Sequence, residues 1–529
     1  MTLPSPAALP LNLNLASFFL ERNLVEGREQ RTALITPDGP CSFEELASLT
    51  NRAGNVLLGL GVREQDRVLL ALADSVEFVA TWYAAQKIGA VTAEVYTFLP
   101  AKDYTYYLDY TGAVVVVVDQ PTLARMREAV ALSRARPVTL IVGGRRETLH
   151  AGEECFDSLV DSVSAELSPA ATTRDQPAVW KFTTGSTGQP KACVHARRSP
   201  VVSYHNYARA VLDMRADDVI LPVPKLFFGY ARDLAALYPF GVGGAGIIFP
   251  ERTTPARIFE LIAQHHPSIL VNVPTMMQAM LDHPSADQQD LSCLRLCTSA
   301  GEALPEAIHR GWLERFGVPV LDGIGSSEAY HIFISNRPGR ERPGSIGETV
   351  PGYSAEVVDD DGRPVPDGDI GRLWVRGGTA ALMYWDDEEK SAQTFAGDLV
   401  MTGDLVQRDG DGYFWYRGRA DDLLKVGGIW VAPAEIERCL AGHPAVVECA
   451  AVGAERDGLT RICAFVVLRT GAAVAGDALQ AFVRERLSGH KVPREIRLVS
   501  RLPHTGSGKI DRRTLREMAT ATDTGGKEA

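Results

Sequence analysis

Thr183-Thr184-Gly185-Ser186-Thr187-Gly188-Gln189-Pro190-Lys191 is the most informative stretch of the chain. Gly185 and Gly188 permit a bend that residues with a Cβ resist. Small hydroxyls and exposed backbone N–H groups suit phosphate oxygens, and Lys191 adds a cation. The run ahead of it, Val179-Trp180-Lys181-Phe182, reads as a strand that delivers the loop. The stretch therefore predicts a nucleotide polyphosphate site. It is not a Walker loop, which needs G-x-x-x-x-G-K-[ST] opening straight into a helix. Here Pro190 separates the last glycine from the lysine, and Ala192 follows it. A surface turn has the same composition, so the rest of the chain must decide.

Outward from the loop, about residues 100 to 420 alternate short apolar runs with amphipathic stretches, the pattern of α/β layers. Strands are predicted at Val114–Val118, Val219–Leu221, Gly246–Phe249, Ile269–Val273, Leu294–Thr298 and Val318–Leu321. Between them Thr254-Pro255 reads as an N-cap with proline in the first turn. Ile258, Leu261 and Ile262 follow at helical spacing, and Pro267 stops the run.

From Arg363 glycine, aspartate and proline become frequent, with short antiparallel strands predicted at Leu373–Arg376 and Tyr413–Tyr416. A compact α+β pattern begins after Asp422. It has helices near Pro433–Leu440 and Asp477–Leu487, and strands at Val446–Val452, Ile462–Leu468 and Ile496–Val499. The reading divides the chain into residues 1–420, layered α/β subdomains with a small antiparallel β subdomain, and residues 421–529, a small α+β domain.

Length and composition agree. A chain of 529 residues exceeds one ordinary core. The net charge of −12 argues against broad binding to nucleic acid or anionic membrane, while leaving room for local positive charge at an anion site. No apolar run approaches a membrane span, and no basic residue precedes the apolar Leu9–Phe19 stretch as in a signal peptide. Eight cysteines without short paired spacing argue against a metal site or disulfide framework. These features point to a cytoplasmic protein, monomer or homodimer.

Several polar motifs are embedded in the apolar pattern. Asp322-Gly323-Ile324-Gly325-Ser326-Ser327-Glu328 follows a predicted strand; its glycines admit a planar ligand, its serines reach phosphate, and Glu328 suits Mg²⁺. Thr402-Gly403-Asp404 sets a carboxylate at a strand end, a natural acceptor for ribose hydroxyls. Gly418-Arg419-Ala420-Asp421-Asp422 joins the two regions, and Lys425-Val426-Gly427-Gly428 follows. Gly506-Ser507-Gly508-Lys509 ends a glycine-rich loop. Singly, each fits a capped turn or a solvated face. Their joint order does not.

In that order they resemble the adenylate-forming superfamily of acyl-CoA synthetases, stand-alone adenylation enzymes and luciferases, over Phe43 to Leu515. The resemblance implies a large N-terminal domain and a small mobile C-terminal domain. It also implies an ATP- and Mg²⁺-dependent reaction in which a carboxylate is adenylated and then passed to a thiol, usually coenzyme A. By position, Thr183, Thr184, Gly185, Ser186, Thr187, Gly188 and Lys191 would hold the β- and γ-phosphates. Asp322, Gly323, Ile324 and Gly325 would border the adenine. Ser327 would touch the α-phosphate, Glu328 the Mg²⁺, and Asp404 and Arg419 the ribose. Lys509 would be the catalytic lysine, Asp421 the hinge, and Gly427 and Gly428 the lining of the pantetheine tunnel. Two departures stand out: Ala192 where glycine is usual, and Ile324 where tyrosine often stacks on adenine.

Within the superfamily the chain is similar to the benzoate-CoA ligases. Lys225-Leu226-Phe227-Phe228-Gly229-Tyr230, Ser299-Ala300-Gly301-Glu302 and Ala329-Tyr330-His331-Ile332-Phe333 match its acid-pocket segments. Phe228, Tyr230 and Ile332 offer flat apolar surface, Gly301 and Gly323 leave room for a ring, and His331 faces the ligand. Gly229, where benzoate-specific relatives carry alanine, leaves space for an ortho substituent, and so anthranilate is the specific candidate. The alternative is a stand-alone aryl acid adenylation enzyme loading a phosphopantetheinyl carrier protein.

Overall fold

The computed structural model describes residues 8–184, 189–422, 424–426, 429–456, 459–504 and 510–520. The chain divides into two compact units: Met1–Ala355 with Trp374–Met401, and Glu356–Leu373 with Thr402–Ala529.

Val115–Val118 shows how the first unit is layered. Four consecutive buried valines carry no polar face, so the strand must be covered on both sides. It lies inside an eight-stranded sheet, parallel to Arg67–Ala71 and Val138–Ile141. Val115 and Val117 pack into one core, Val116 and Val118 into another, as the two-residue period of a strand requires. The outer core packs under the helices Ala101–Thr111 and Gln120–Leu132. The inner core joins this sheet to a nine-stranded one through the Val76–Lys87 helix and the 198–240 segment. The far face of the nine-stranded sheet is covered by Pro255–His265, Pro274–Leu281 and Glu306–Phe316. The result is an α/β/α/β/α stack, the layered α/β class the alternation predicts.

Local signals hold where they have a mechanism. Thr254 accepts from Arg257 N and Pro255 opens the helix. The helix stops one residue before the expected breaker: His266 takes a left-handed φ of 46° and returns its N–H to Ile262 O.

In the second unit Leu399–Arg408 pairs antiparallel with Phe414–Arg419. A three-stranded sheet of Val446–Arg456, Leu459–Leu468 and Glu495–Leu498 is packed by the helices Pro433–Ala441 and Gly476–Arg484, with Arg512–Thr520 on its other core. Among the described residues no helix is long and apolar enough to cross a membrane.

Candidate active site

The phosphate loop joins two antiparallel strands, Pro177–Thr184 and Pro190–Ala196, with Thr184 opposite Pro190 and Thr183 opposite Lys191. It is a hairpin tip rather than a strand-to-helix turn. Gly185, Ser186, Thr187 and Gly188 lie outside the described residues. Lys191 Nζ donates to Asp387 Oδ2 at 2.6 Å, and that carboxyl is held below its ordinary range by the bond. Ala192 is fully buried and its backbone N–H donates to Tyr110 Oη. Its methyl belongs to the packing of the core.

The Ser-Ser-Glu turn docks on this hairpin. Ser327 Oγ donates to Phe182 O at 3.2 Å, and His195 Nε2 donates to Ser327 O at 2.6 Å. Glu328 Oε1 accepts from Tyr384 Oη at 2.8 Å. Tyr384 is placed by its strand, which pairs with Cys193 of the hairpin. Burial and the Glu328 charge drive its hydroxyl far up, so it stays a donor. Thr183, Lys191, Ser327 and Glu328 are thus gathered at one end of the eight-stranded sheet. Among the described residues no cluster of three metal-ligating side chains exists. A lone carboxylate beside a phosphate loop nonetheless fits Mg²⁺, which takes one or two protein carboxylates and completes its shell with substrate phosphates and water.

Asp322, Gly323, Ile324 and Gly325 correct the sequence reading. They do not follow the strand but complete it, as part of Val320–Gly325. Asp322 pairs with Ser299 in the parallel register, and Gly323 with Ser335 antiparallel. A Cβ on Gly323 would lie 2.7 Å from Ile334 O, and one on Gly325 2.5 Å from His331 O. These glycines exist so that the Ile332–Ser335 strand can approach, not to make room for a ring on their Cβ side. Gly301 does leave such room: its φ is +90° and nothing lies within 4 Å of the Cβ position.

The acid-pocket segments converge. Tyr230 Oη hydrogen-bonds Thr298 Oγ1 at 2.6 Å, next to Ser299 and Ala300. His331 Nε2 donates to Tyr230 O at 3.4 Å, its ring ringed by Tyr207, Tyr230 and Tyr238 at 5.3 to 5.6 Å. Burial holds His331 neutral, down to about 3. Ile332 is buried beside it. Phe228 packs on Phe227 and Tyr96 at 4.9 and 5.1 Å. His331 Nδ1 is buried with no hydrogen-bond partner among the described residues, while the Ser299 hydroxyl and the Asp322 carboxyl lie against each other. An orphaned buried polar atom is costly, and His331 Nδ1 is one that a polar ligand would satisfy. Burial pushes the Asp322 carboxyl up to about 8, so at neutral pH it is mostly protonated.

Gly229 requires a second correction. The space on its Cβ side is not empty: Lys181 Cε and Nζ would each lie 2.6 Å from a methyl there. Sequence reasoning missed Lys181 and its partner Asp233. The available signal was a charge in the apolar run Val179–Phe182. Lys181 Nζ donates to Asp233 Oδ2 at 2.8 Å and to Tyr330 O at 2.6 Å.

In the second unit Asp404 and Arg419 are cross-strand partners, Arg419 Nη1 donating to Asp404 Oδ1 at 3.1 Å. Asp404 sits inside the Leu399–Arg408 strand rather than at its end. A Cβ on Gly403 would lie 2.5 Å from Arg419 Nη2. Asp421 lies in the short Ala420–Asp422 turn. Gly427, Gly428 and Lys509 lie outside the described residues.

Comparison with known proteins agrees with this arrangement. Residues 20–385 match the AMP-binding enzyme family and residues 435–509 the AMP-binding enzyme C-terminal domain. The chain is 39% identical to the benzoate–CoA ligase of Thauera aromatica over 97% of both chains. It is 37% identical to the 4-hydroxybenzoate–CoA/benzoate–CoA ligase of Rhodopseudomonas palustris, over 96% of this chain and 95% of that one. The anthranilate CoA ligase AuaEII, solved with anthranoyl-AMP, superposes with a TM-score of 0.91 at 37% identity, covering 98% of this chain and 99% of its own. A hairpin with the Ser-Ser-Glu turn docked on it, carried on a chain whose residues 20–385 match the family and 97% of whose length matches a relative, makes this protein a member of the AMP-binding enzyme family.

Proposed function

We propose that the protein is an AMP-forming aryl-CoA ligase acting on benzoate or a small substituted benzoate. The observation that carries this is the docking of Ser327 and Glu328 on the Thr183–Lys191 hairpin. It sets phosphate-binding groups at the strand ends, next to an acid pocket in which His331 Nδ1 is buried without a partner among the described residues. Relatives named as CoA ligases for benzoate and hydroxybenzoate support both the acid class and free coenzyme A as acceptor.

A carboxylate oxygen of the acid bonds to the α-phosphorus of ATP as the bond to the β-phosphate oxygen breaks, and pyrophosphate leaves. The CoA sulfur then bonds to the acyl carbon, the bond to the adenylate oxygen breaks, AMP leaves with the electron pair, and the thiol proton passes to solvent. The carboxylate is its own nucleophile, so catalysis is positioning plus charge stabilisation. Thr183, Thr184 and Lys191, with Gly185, Ser186, Thr187 and Gly188, hold the β- and γ-phosphates. Ser327 meets the α-phosphate, Asp404 and Arg419 the ribose, and Ile324 the adenine face. Glu328 would hold Mg²⁺, which would supply neutralisation of charge on the phosphates. Lys509 offsets charge building at the α-phosphate. Gly427 and Gly428 line the thiol's path, and the segment from Asp421 reorients between the steps. No membrane span is needed, and a cytoplasmic location suits a chain with these substrates.

Anthranilate remains the specific candidate on other grounds than space at Gly229. The unpartnered Nδ1 of neutral His331 is an acceptor for a ring amino group, and the structure solved with anthranoyl-AMP is similar throughout. The test is a panel of aryl carboxylates with ATP, Mg²⁺ and either CoA or a phosphopantetheinyl carrier protein. AMP and pyrophosphate release with thioester formation on CoA is expected. Adenylation with transfer only to carrier protein would favour the alternative, and no aryl-dependent pyrophosphate release would end the reading.

A further inference from the structure

We propose that Lys181 is a specificity-determining residue of the acid pocket, offering an N–H to an oxygen substituent on the ring edge that faces Gly229. The inference rests on the acid lying against Phe228–Tyr230, as proposed above.

Lys181 and Thr183 sit two apart on the Pro177–Thr184 strand, so they share a face. The strand that delivers the phosphate loop therefore also sends a cation toward the acid. Its end occupies the place of a side chain at 229: the Cβ position there is 2.6 Å from both Cε and Nζ. Real Cβ atoms do not approach so closely, so a side chain at 229 must displace the end of Lys181. Gly229 itself is only half-buried, and the lysine keeps 7% exposure while Asp233 has none.

Two unusual backbone features hold the ammonium. Tyr330 takes a left-handed φ of 74°, a strained conformation for a bulky residue, and its carbonyl accepts from Nζ. Asp233 opens a π-helical turn, Asp233–Leu237, directly after Gly229–Arg232; such turns recur at functional sites.

Stability does not account for the lysine. Asp233 Oδ1 already accepts from Arg232 Nη2 at 2.7 Å and from Tyr330 Oη at 3.2 Å, and Arg232 also pairs with Glu94 at 2.6 Å. A further buried ion seldom adds net stability over an apolar residue of similar volume. Two N–H groups of Lys181 are engaged by Asp233 and Tyr330 O; Nζ also lies 3.6 Å from the centre of the Tyr330 ring, a soft contact that a stronger oxygen acceptor on the substrate can displace. A ring hydroxyl supplies one, keeping lone pairs even when its own proton bonds to the neighbouring carboxylate. A ring amino nitrogen, its lone pair delocalised, is a poor acceptor. Lys181 thus distinguishes oxygen substituents from both hydrogen and amino.

The experiment measures kcat/KM for benzoate, anthranilate and the three hydroxybenzoates, each expressed relative to benzoate, in wild type, Lys181→Met, Lys181→Ala, Gly229→Ala and Lys181→Ala/Gly229→Ala. At least one hydroxybenzoate should lose about 10- to 100-fold relative to benzoate in Lys181→Met, the worth of one hydrogen bond to a charged group. The loss should fall mainly in KM, and the anthranilate ratio should hold within about threefold. Gly229→Ala keeps the buried charges and only displaces the ammonium, so it should lower the same ratio even if Lys181→Met folds poorly. In the double variant the glycine change should have no further effect. Equal losses across the panel, or additive effects of the two positions, would overturn the assignment while leaving the aryl-CoA ligase reading intact. A wild type that activates no aryl acid would overturn both.

Discussion

Asp322 is a carboxyl kept neutral by its surroundings. Burial raises it to about 8 in the folded chain, whereas in the unfolded chain it ionises near its ordinary value of ~3.9. Between these values the folded state holds a proton that the unfolded state has released. Stability is therefore fullest below the lower value and declines as pH rises through the upper one. The melting temperature of the wild type should fall between about pH 4 and pH 8 and level off above that, and Asp322→Asn should flatten that fall; an unchanged slope would show that Asp322 titrates normally. At the same scale, Lys509→Ala should lose about 3–4 kcal/mol of transition-state stabilisation in adenylation, or ~10²–10³ in rate. Thioester formation from a supplied aryl-adenylate should survive. Equal loss in both steps would assign the lysine a structural or shared role.

At the scale of elements, the site depends on strands that come unusually close. Gly323→Ala would push a methyl to 2.7 Å from Ile334 O, and the strand backbone cannot yield as a side chain does. The expected cost is about 1–3 kcal/mol of stability, read from denaturant midpoints. A neutral result would mean that the two strands can separate there. The N-cap Thr254 is a simpler case, remote from the site. Thr254→Ala removes the acceptor for Arg257 N and should cost about 1 kcal/mol, with aryl-CoA ligase kinetics unchanged. These elements were legible because propensity, capping and burial agree in them. The extension of Val320 through Gly325 was not, since glycines inside a strand signal a turn until the partner strand that requires them is known.

At the scale of the whole molecule, the proposed two-step reaction needs the segment after Asp421 to reorient. Proline at 421 fixes φ and restricts the residue before it. Asp421→Pro should therefore retain aryl-dependent pyrophosphate release and lose thioester formation. Loss of both with a lowered melting temperature would indicate misfolding and remove support for the hinge.

The sequence by itself determined the layered α/β class and the family and marked the candidate ligand-binding segments, because each is a local pattern: four apolar valines, a glycine-hydroxyl loop, a capped proline. Tertiary structure decided what lies across from those segments. Only the packed fold shows that Gly323 and Gly325 serve a strand contact, that Asp404 sits within its strand opposite Arg419, and that the space beside Gly229 belongs to Lys181. The physical reason is common to all three. A missing Cβ is legible in one dimension, but what fills its place is a contact between residues far apart in sequence, 181 and 229 or 323 and 334, and only the packed core brings them together.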